Sequence, residues 1–289
     1  MAARITRTLC ERDSILNDVI AFFCRHLIGI GWYEGHVNSD GEFTAKPTFF
    51  GASGFLLQLH DEFPGSIALI TAGHVILDAK KRAEKNGTAI RSAGIFDIWG
   101  EHSTVDMRIP FDIFNAPAIA EHDDGIDYAA IVLPTHVTQM LAQTTTPFTK
   151  KNWVHQSDVE FDFYAIVGLP SEDAEQKFEN SELRKFITTY QNPAILFVSP
   201  CELPSNAAPK SHPQFIAKIN NKADIGSIVG MSGGPILGFR KDESGLHYWP
   251  VAIQSSWFEN KRIVVGTPLP AIAATIEQEI ERFLDDKLA

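Results

Sequence analysis

Apolar and polar residues alternate in two rhythms along this chain. At its start, Ile15, Leu16, Val19, Ile20, Phe23 and Leu27 recur at helical spacing, which predicts a helix over residues 13–28 with Asp13 or Ser14 as its N-cap. Shorter runs then dominate, and each ends in turn-forming residues. A strand is predicted over 28–37, and Asn38-Ser39-Asp40-Gly41 turns it into a hairpin returning through 44–50. Further strands are predicted at 55–60, 66–71, 89–99, 105–111, 127–133, 161–167, 185–190, 194–198, 214–219, 235–239, 248–255 and 263–267. Residues 80–85 read as charged, solvated surface, 136–156 as a polar linker region, and 199–212 as a long loop rich in Pro and Ser. Helical spacing returns over 270–287, where Ile272, Ile276, Ile280, Phe283 and Leu284 share a face and Pro270 suits the first turn. Many short strands without βαβ alternation point to β-barrels or sandwiches.

Composition narrows this picture without changing it. The 289 residues are 44% hydrophobic, ample for a large core or for two smaller ones. A net charge of −11 argues against a nucleic-acid surface, because phosphates are bound by clustered Lys and Arg. Cys10, Cys24 and Cys201 make neither a CxxC pair nor an even disulfide set, so a reducing compartment is expected. The apolar run 19–24 is short and follows Glu11, Asp13 and Asp18, where a signal peptide carries positive charge. No run approaches the ~20 apolar residues of a membrane span. The expectation is a cytoplasmic protein without membrane contact.

Candidate chemistry sits at three strand edges. Val229-Gly230-Met231-Ser232-Gly233-Gly234-Pro235-Ile236 places a serine between glycines, which let the backbone turn sharply and aim successive N–H groups at one spot. Such a loop suits a nucleophile, and equally a plain Gly-rich turn. His74 follows the apolar run 67–72, and Asp127 opens the apolar run 127–133. Each alone reads as well as a core histidine or a turn carboxylate. Gly230-Met231-Ser232-Gly233-Gly234 also fits the Gly-x-Ser-x-Gly elbow of α/β-hydrolases. That elbow leads into a helix, whereas Pro235 and an apolar strand follow here, and His247 is the sole histidine after the serine. The elbow reading fails. There is no HExxH, no CxxC pair and no Walker loop, so no metal and no cofactor is expected.

Taken together, the three segments resemble those of trypsin-like (chymotrypsin-fold) serine peptidases, especially disulfide-free bacterial members that act inside the cell. Ile70-Thr71-Ala72-Gly73-His74 is similar to the family's Leu-Thr-Ala-Ala-His, with Gly73 replacing one Ala. Asp127-Tyr128-Ala129-Ala130-Ile131 resembles Asp-Ile-Ala-Leu-Leu, and Gly230-Met231-Ser232-Gly233-Gly234-Pro235 resembles Gly-Asp-Ser-Gly-Gly-Pro. Weaker matches are Ala52-Ser53-Gly54-Phe55 and Gly168-Leu169-Pro170, and the resemblance spans roughly residues 28–287.

It implies an all-β fold of two six-stranded antiparallel β-barrels with an N-terminal and a C-terminal helix. Its division would be an N-terminal helical extension (1–27), a first barrel (28–140), a linker (141–156), and a second barrel with the closing helix (157–289). It implies a serine endopeptidase in which Ser232 attacks a polypeptide substrate, His74 is the base, and Asp127 orients it. Gly230 and Ser232 would supply the oxyanion N–H groups. Gly226 and Ser227 would lie at the base and wall of the substrate pocket. Gln254 and Ser255 would lie on the strand that pairs with substrate, and a neutral or apolar side chain is expected before the cut. Met231 departs from the family's aspartate and cannot pair with a freed N-terminus. If activity is controlled, ordering of the loop by an activating protein partner or a ligand is expected, as in a regulated stress or defence effector. The alternative is the same fold, catalytically silent, used as a binding module.

Overall fold

The computed structural model describes residues 5–6, 22–59, 66–97, 109–142, 144–153, 159–173, 175–180, 185–190, 192–220 and 225–288. Strand β1 (Ile5–Thr6) is followed by β2 (Leu27–Gly35), β3 (Thr48–Gln58), β4 (Ile67–Thr71), β5 (Ala89–Asp97), β6 (Ile109–Pro110), β7 (Ala118–Asp123) and β8 (Ile126–Val132). From β2 to β8 these make one antiparallel sheet in the order β6-β5-β2-β3-β4-β8-β7. The second half supplies β9 (Phe163–Gly168), the separate hairpin β10 (Glu175–Asn180) and β11 (Lys185–Tyr190), then β12 (Ala194–Pro200), β13 (Phe215–Ile219), β14 (Pro235–Asp242), β15 (Gly245–Phe258) and β16 (Ile263–Pro268). Its sheet runs β12-β13-β16-β15-β14-β9, and β9 pairs again with β12, closing a six-stranded barrel to which β1 adds at β12. This is the all-β, two-unit architecture that the resemblance implies. The first sheet carries seven strands rather than six.

Strand alternation explains why so many runs are continuously apolar. On β4, Ile67 and Leu69 face the interior of the first sheet, packing with Ile28, Ile30, Leu56 and Ile131. Ala68 and Ile70 face the opposite way, into a core shared by both halves. The second barrel repeats the device: Ile166 packs inward with Leu196, Ile236 and Val264, while Ala165 and Val167 join the shared core. A strand buried on both faces has no polar side to alternate with. Helix α4 (Leu269–Leu288, with the helices numbered below) seals that core through Leu269, Ile272, Ile276 and Ile280.

Several sequence expectations are corrected. The two strands expected at 44–50 and 55–60 are one: residues 48–50 and 55–58 both belong to β3, which runs unbroken through Gly51-Ala52-Ser53-Gly54, while 44–47 lie before it. At Gly54 a Cβ would sit 2.7 Å from the Ile70 carbonyl, so the glycine serves close strand approach rather than a turn. Residues 80–85 are the charged surface expected, with Lys80, Lys81, Glu84 and Lys85 exposed, but they belong to a helix that was not expected, α1 (Gly73–Asn86), whose Val75, Ile76, Ala79 and Ala83 are buried beneath them. The supposed linker holds α2 (Thr135–Leu141) and α3 (Lys150–Trp153), and Phe148 bridges to Leu57 with Trp153 fully buried. Of the helix expected over 13–28, residues 13–21 lie outside the described residues; 22–24 are helical, 25–26 form a turn, and 27–28 already belong to β2, so the helix ends earlier than its apolar spacing suggests.

A polar knot joins the two halves near residue 26. His26, 3% exposed, stacks on Phe148 at 4.0 Å, donates from Nδ1 to the Thr146 carbonyl at 2.6 Å, and accepts the Tyr248 hydroxyl at Nε2 at 2.8 Å. Arg25 donates to the same Tyr248 oxygen at 2.7 Å. Burial outweighs the Thr146 carbonyl and lowers the His26 pKa to about 4, with Arg25 adding to the drop.

Candidate active site

The site begins where β4 ends. Thr71 is the last strand residue, Ala72 is extended at φ −75° and ψ 142°, and α1 starts at Gly73. A Cβ on Gly73 would lie 2.0 Å from the Glu121 carbonyl oxygen on β7 and 2.8 Å from that of Tyr128 on β8. Glycine at this position is therefore a packing requirement. It brings the helix start against β8, where Asp127 is the second residue.

Ala72 has no side chain with which to cap the helix, and Asp127 takes that role from the neighbouring strand. Its Oδ1 accepts the His74 backbone N–H at 2.9 Å, and its Oδ2 accepts Nδ1–H of the His74 ring at 2.7 Å. A carboxylate at a helix N-terminus also meets the positive end of the backbone dipole. One aspartate thus fixes the histidine at both backbone and ring. Asp127 is itself anchored from the other half of the molecule: Thr267 on β16, buried, accepts the Asp127 N–H at 2.9 Å and donates to its carbonyl at 3.1 Å.

With Nδ1 committed, Nε2 is the ring nitrogen left for a second partner, and the His74 side chain keeps 26% of its surface exposed. Burial lowers the His74 pKa, but the Asp127 hydrogen bond and charge, with a further contribution from Asp78, outweigh it and hold the pKa above the ordinary 6.5. His122 stands beside this pair, its ring centroid 5.6 Å from that of His74 and its Nδ1 3.8 Å from Asp78.

Ser232 lies on the turn before β14, in the second half. Four bonds from Ser53, fully buried on β3, set that turn and its surroundings. The Ser53 N–H donates to the Ser232 carbonyl at 3.0 Å, and its hydroxyl donates to the Gly230 carbonyl at 2.9 Å. The same hydroxyl accepts the Leu169 N–H at 2.9 Å, while the Ser53 carbonyl accepts the Thr71 hydroxyl at 2.8 Å. Gly233 (φ +87°) has room for no side chain: a Cβ would fall 2.1 Å from the Thr71 hydroxyl and 2.8 Å from the Ala72 nitrogen. The serine loop therefore rests on the strand end that leads to His74. The Ser232 hydroxyl is half-buried and has no hydrogen-bond partner among the described residues. Met231 packs in the barrel core, against Gly168.

Within this loop, the Gly230 and Ser232 N–H groups donate to no described residue. The Val229 carbonyl accepts the Ser171 N–H at 2.6 Å. Because C=O and N–H point opposite ways across a trans peptide, that bond turns the Gly230 N–H away from Ser171. Gly230 needs φ +94°, and a Cβ there would meet the Ser171 hydroxyl at 2.4 Å and the Leu169 carbonyl at 2.6 Å.

The remaining candidates separate. Gly226 is exposed and Ser227 half-buried, and both neighbour Glu172. Its Oε2 accepts the Ser227 N–H at 2.7 Å and stands 3.0 Å from where a Gly226 Cβ would be, a charge that the sequence reading did not place there. Gln254 is 1% exposed, and its backbone is used internally, accepting from Gly233 at 2.8 Å and donating to Gly234 at 2.9 Å. It lies beneath the site. Ser255 is half-buried, with its hydroxyl on the Val265 carbonyl at 3.1 Å, and Ser256 is the exposed residue of that stretch.

Ser53, Thr71, Asp78, Glu172 and Thr267 were missed as site residues. Ser53 lay inside a stretch already matched to the family, which was its only signal; a lone Thr on an apolar strand gives none. Among the described residues no group of three or more His, Cys, Asp or Glu side chains could hold a metal, and no helix is long and apolar enough to cross a membrane.

No family model matches the chain, and no curated protein matches it. Solved structures similar to it include a thermostable serine protease, AL20, from an extremophilic microorganism, at 15% identity, with 88% of this chain and 95% of that one covered and a TM-score of 0.42. Another, described as the structure of GrC, is 14% identical, with 89% and 94% covered and a TM-score of 0.48.

Proposed function

We propose that the chain is a serine endopeptidase that cleaves polypeptides through an acyl-enzyme. Ser232 attacks the scissile carbonyl, and its proton passes to Nε2 of His74, which returns it to the leaving amine. Asp127 keeps the Nδ1–H tautomer and stabilises the imidazolium. The Gly230 and Ser232 N–H groups receive the oxyanion; losing one such donor typically costs about 3–4 kcal/mol in the transition state. The observation that carries this reading is the double hold of Asp127 on His74, beside a serine loop that leaves those two N–H groups without acceptors among the described residues. The resemblance extends the proposal to a regulated effector acting in the cytoplasm.

One observation favours the catalytically silent binding module: the Ser232 hydroxyl makes no hydrogen bond to His74. Such bonds are often long before substrate arrives, which keeps the peptidase reading first. A fluorophosphonate probe separates the two. Labelling of the wild type and none of Ser232→Ala supports the peptidase; a folded wild type that stays unlabelled supports the binding module.

A further inference from the structure

The Ser232 loop lacks the ion pair that an aspartate at Met231 could make, yet it is held in a definite conformation. Two consecutive residues after β9 do the holding. The Ser171 N–H is bound to the Val229 carbonyl at 2.6 Å, and the Glu172 carboxylate to the Ser227 N–H at 2.7 Å. Ser227 in turn accepts the Val229 N–H on its hydroxyl at 3.2 Å. The three bonds close a circuit between residues 171–172 and 227–229. Its output is the orientation of the Val229–Gly230 peptide, whose carbonyl Ser171 holds and which carries the Gly230 N–H. Ser53 braces the far side by bridging the Gly230 carbonyl and the Leu169 N–H.

Backbone alone could supply the Ser171 bond, whatever the side chain. The Glu172 bond cannot be made that way: it needs a side chain of the right length ending in an acceptor, one residue further on. A carboxylate bound to a backbone N–H is also the stronger, charge-assisted kind of contact. We propose that Glu172 is the positioning residue of a latch, built into the chain, that keeps the Gly230 N–H aimed at the substrate side without N-terminal cleavage or an activating partner. This rests on the peptidase reading for its catalytic consequence, but the latch itself is a geometric statement that can be tested apart from activity.

The experiment compares full-length wild type, Glu172→Ala and Glu172→Gln in two readouts. Gln keeps an acceptor oxygen at the same reach, whereas Ala removes it. The first readout is backbone amide hydrogen exchange in peptides covering residues 225–231, and the second is the rate of fluorophosphonate labelling at Ser232. The expected result is faster exchange of those peptides in Glu172→Ala, wild-type exchange in Glu172→Gln, and labelling slowed about 10-fold or more in the Ala variant only, since full loss of one oxyanion donor typically slows reaction by about 100- to 1,000-fold. Unchanged exchange and labelling in Glu172→Ala overturn the latch and leave the peptidase reading standing. Faster exchange with unchanged labelling overturns its catalytic role. An unlabelled wild type whose exchange still depends on Glu172 sinks the peptidase reading and retains the latch.

Discussion

The buried His26 makes the stability of this protein depend on acidity in a way that can be worked out in advance. In the fold its pKa is lowered from the ordinary 6.5 to about 4. Between those values the unfolded chain binds a proton that the folded chain refuses, so stability falls as pH falls. The contribution is complete above pH 6.5 and lost by about pH 4. The separation of about 2.5 pK units corresponds to about 3 kcal/mol, lost at roughly 1.4 kcal/mol per pH unit. His74 acts with the opposite sign: its raised pKa gives stability that is present below 6.5 and lost as pH rises through its folded value. The assay is urea unfolding of wild type and His26→Gln at several pH values between 7.5 and 4. Gln loses the stack on Phe148 at every pH, but it does not titrate, and His74 is common to both proteins. The stability gap between wild type and variant should therefore shrink by about 3 kcal/mol across that range. Parallel pH profiles would refute the argument, whatever the variant costs at neutral pH.

Two further predictions concern the histidine motif. Asp78 helps to raise the His74 pKa, so Asp78→Asn should move the acid limb of a kcat/KM profile to lower pH, and added salt should shrink the difference because Asp78 is about half exposed; an unmoved limb would remove Asp78 from the electrostatics of the site. Gly73→Ala, the residue usual in the resembling family, should destabilise by about 1–3 kcal/mol and depress activity, because the new methyl meets the Glu121 backbone carbonyl rather than a side chain that can swing aside; a variant as stable and active as wild type in thermal unfolding and turnover would contradict that packing.

The strands of both halves were legible because burial on two faces leaves unmistakable apolar runs such as 67–72 and 127–133. The contact of His74 with Asp127 was legible only through the matched motifs, since neither residue is distinctive alone. What escaped notice was structure whose signal is diluted. Helix α1 hides four buried apolar residues among lysines, and β3 runs through glycines that read as a break. Strand β7, half-exposed and polar at its end, has no clean alternation. The supports of the site were invisible for a different reason: Ser53 and Thr267 act across the junction of the two halves, more than a hundred residues from the partners they meet there, and no local pattern encodes such a meeting.

That junction gives Ser53 a significance beyond its four bonds. His74 and Asp127 belong to the first half, Ser232 to the closed barrel, and Ser53 is the stitch through which the alignment of one is imposed on the other. For the proposed peptidase, competence for chemistry is then a property of the seam, held by neither half alone. A small slippage between the halves would disarm the site while both sheets stayed intact, so heating should silence the protein at a lower temperature than the one that melts it.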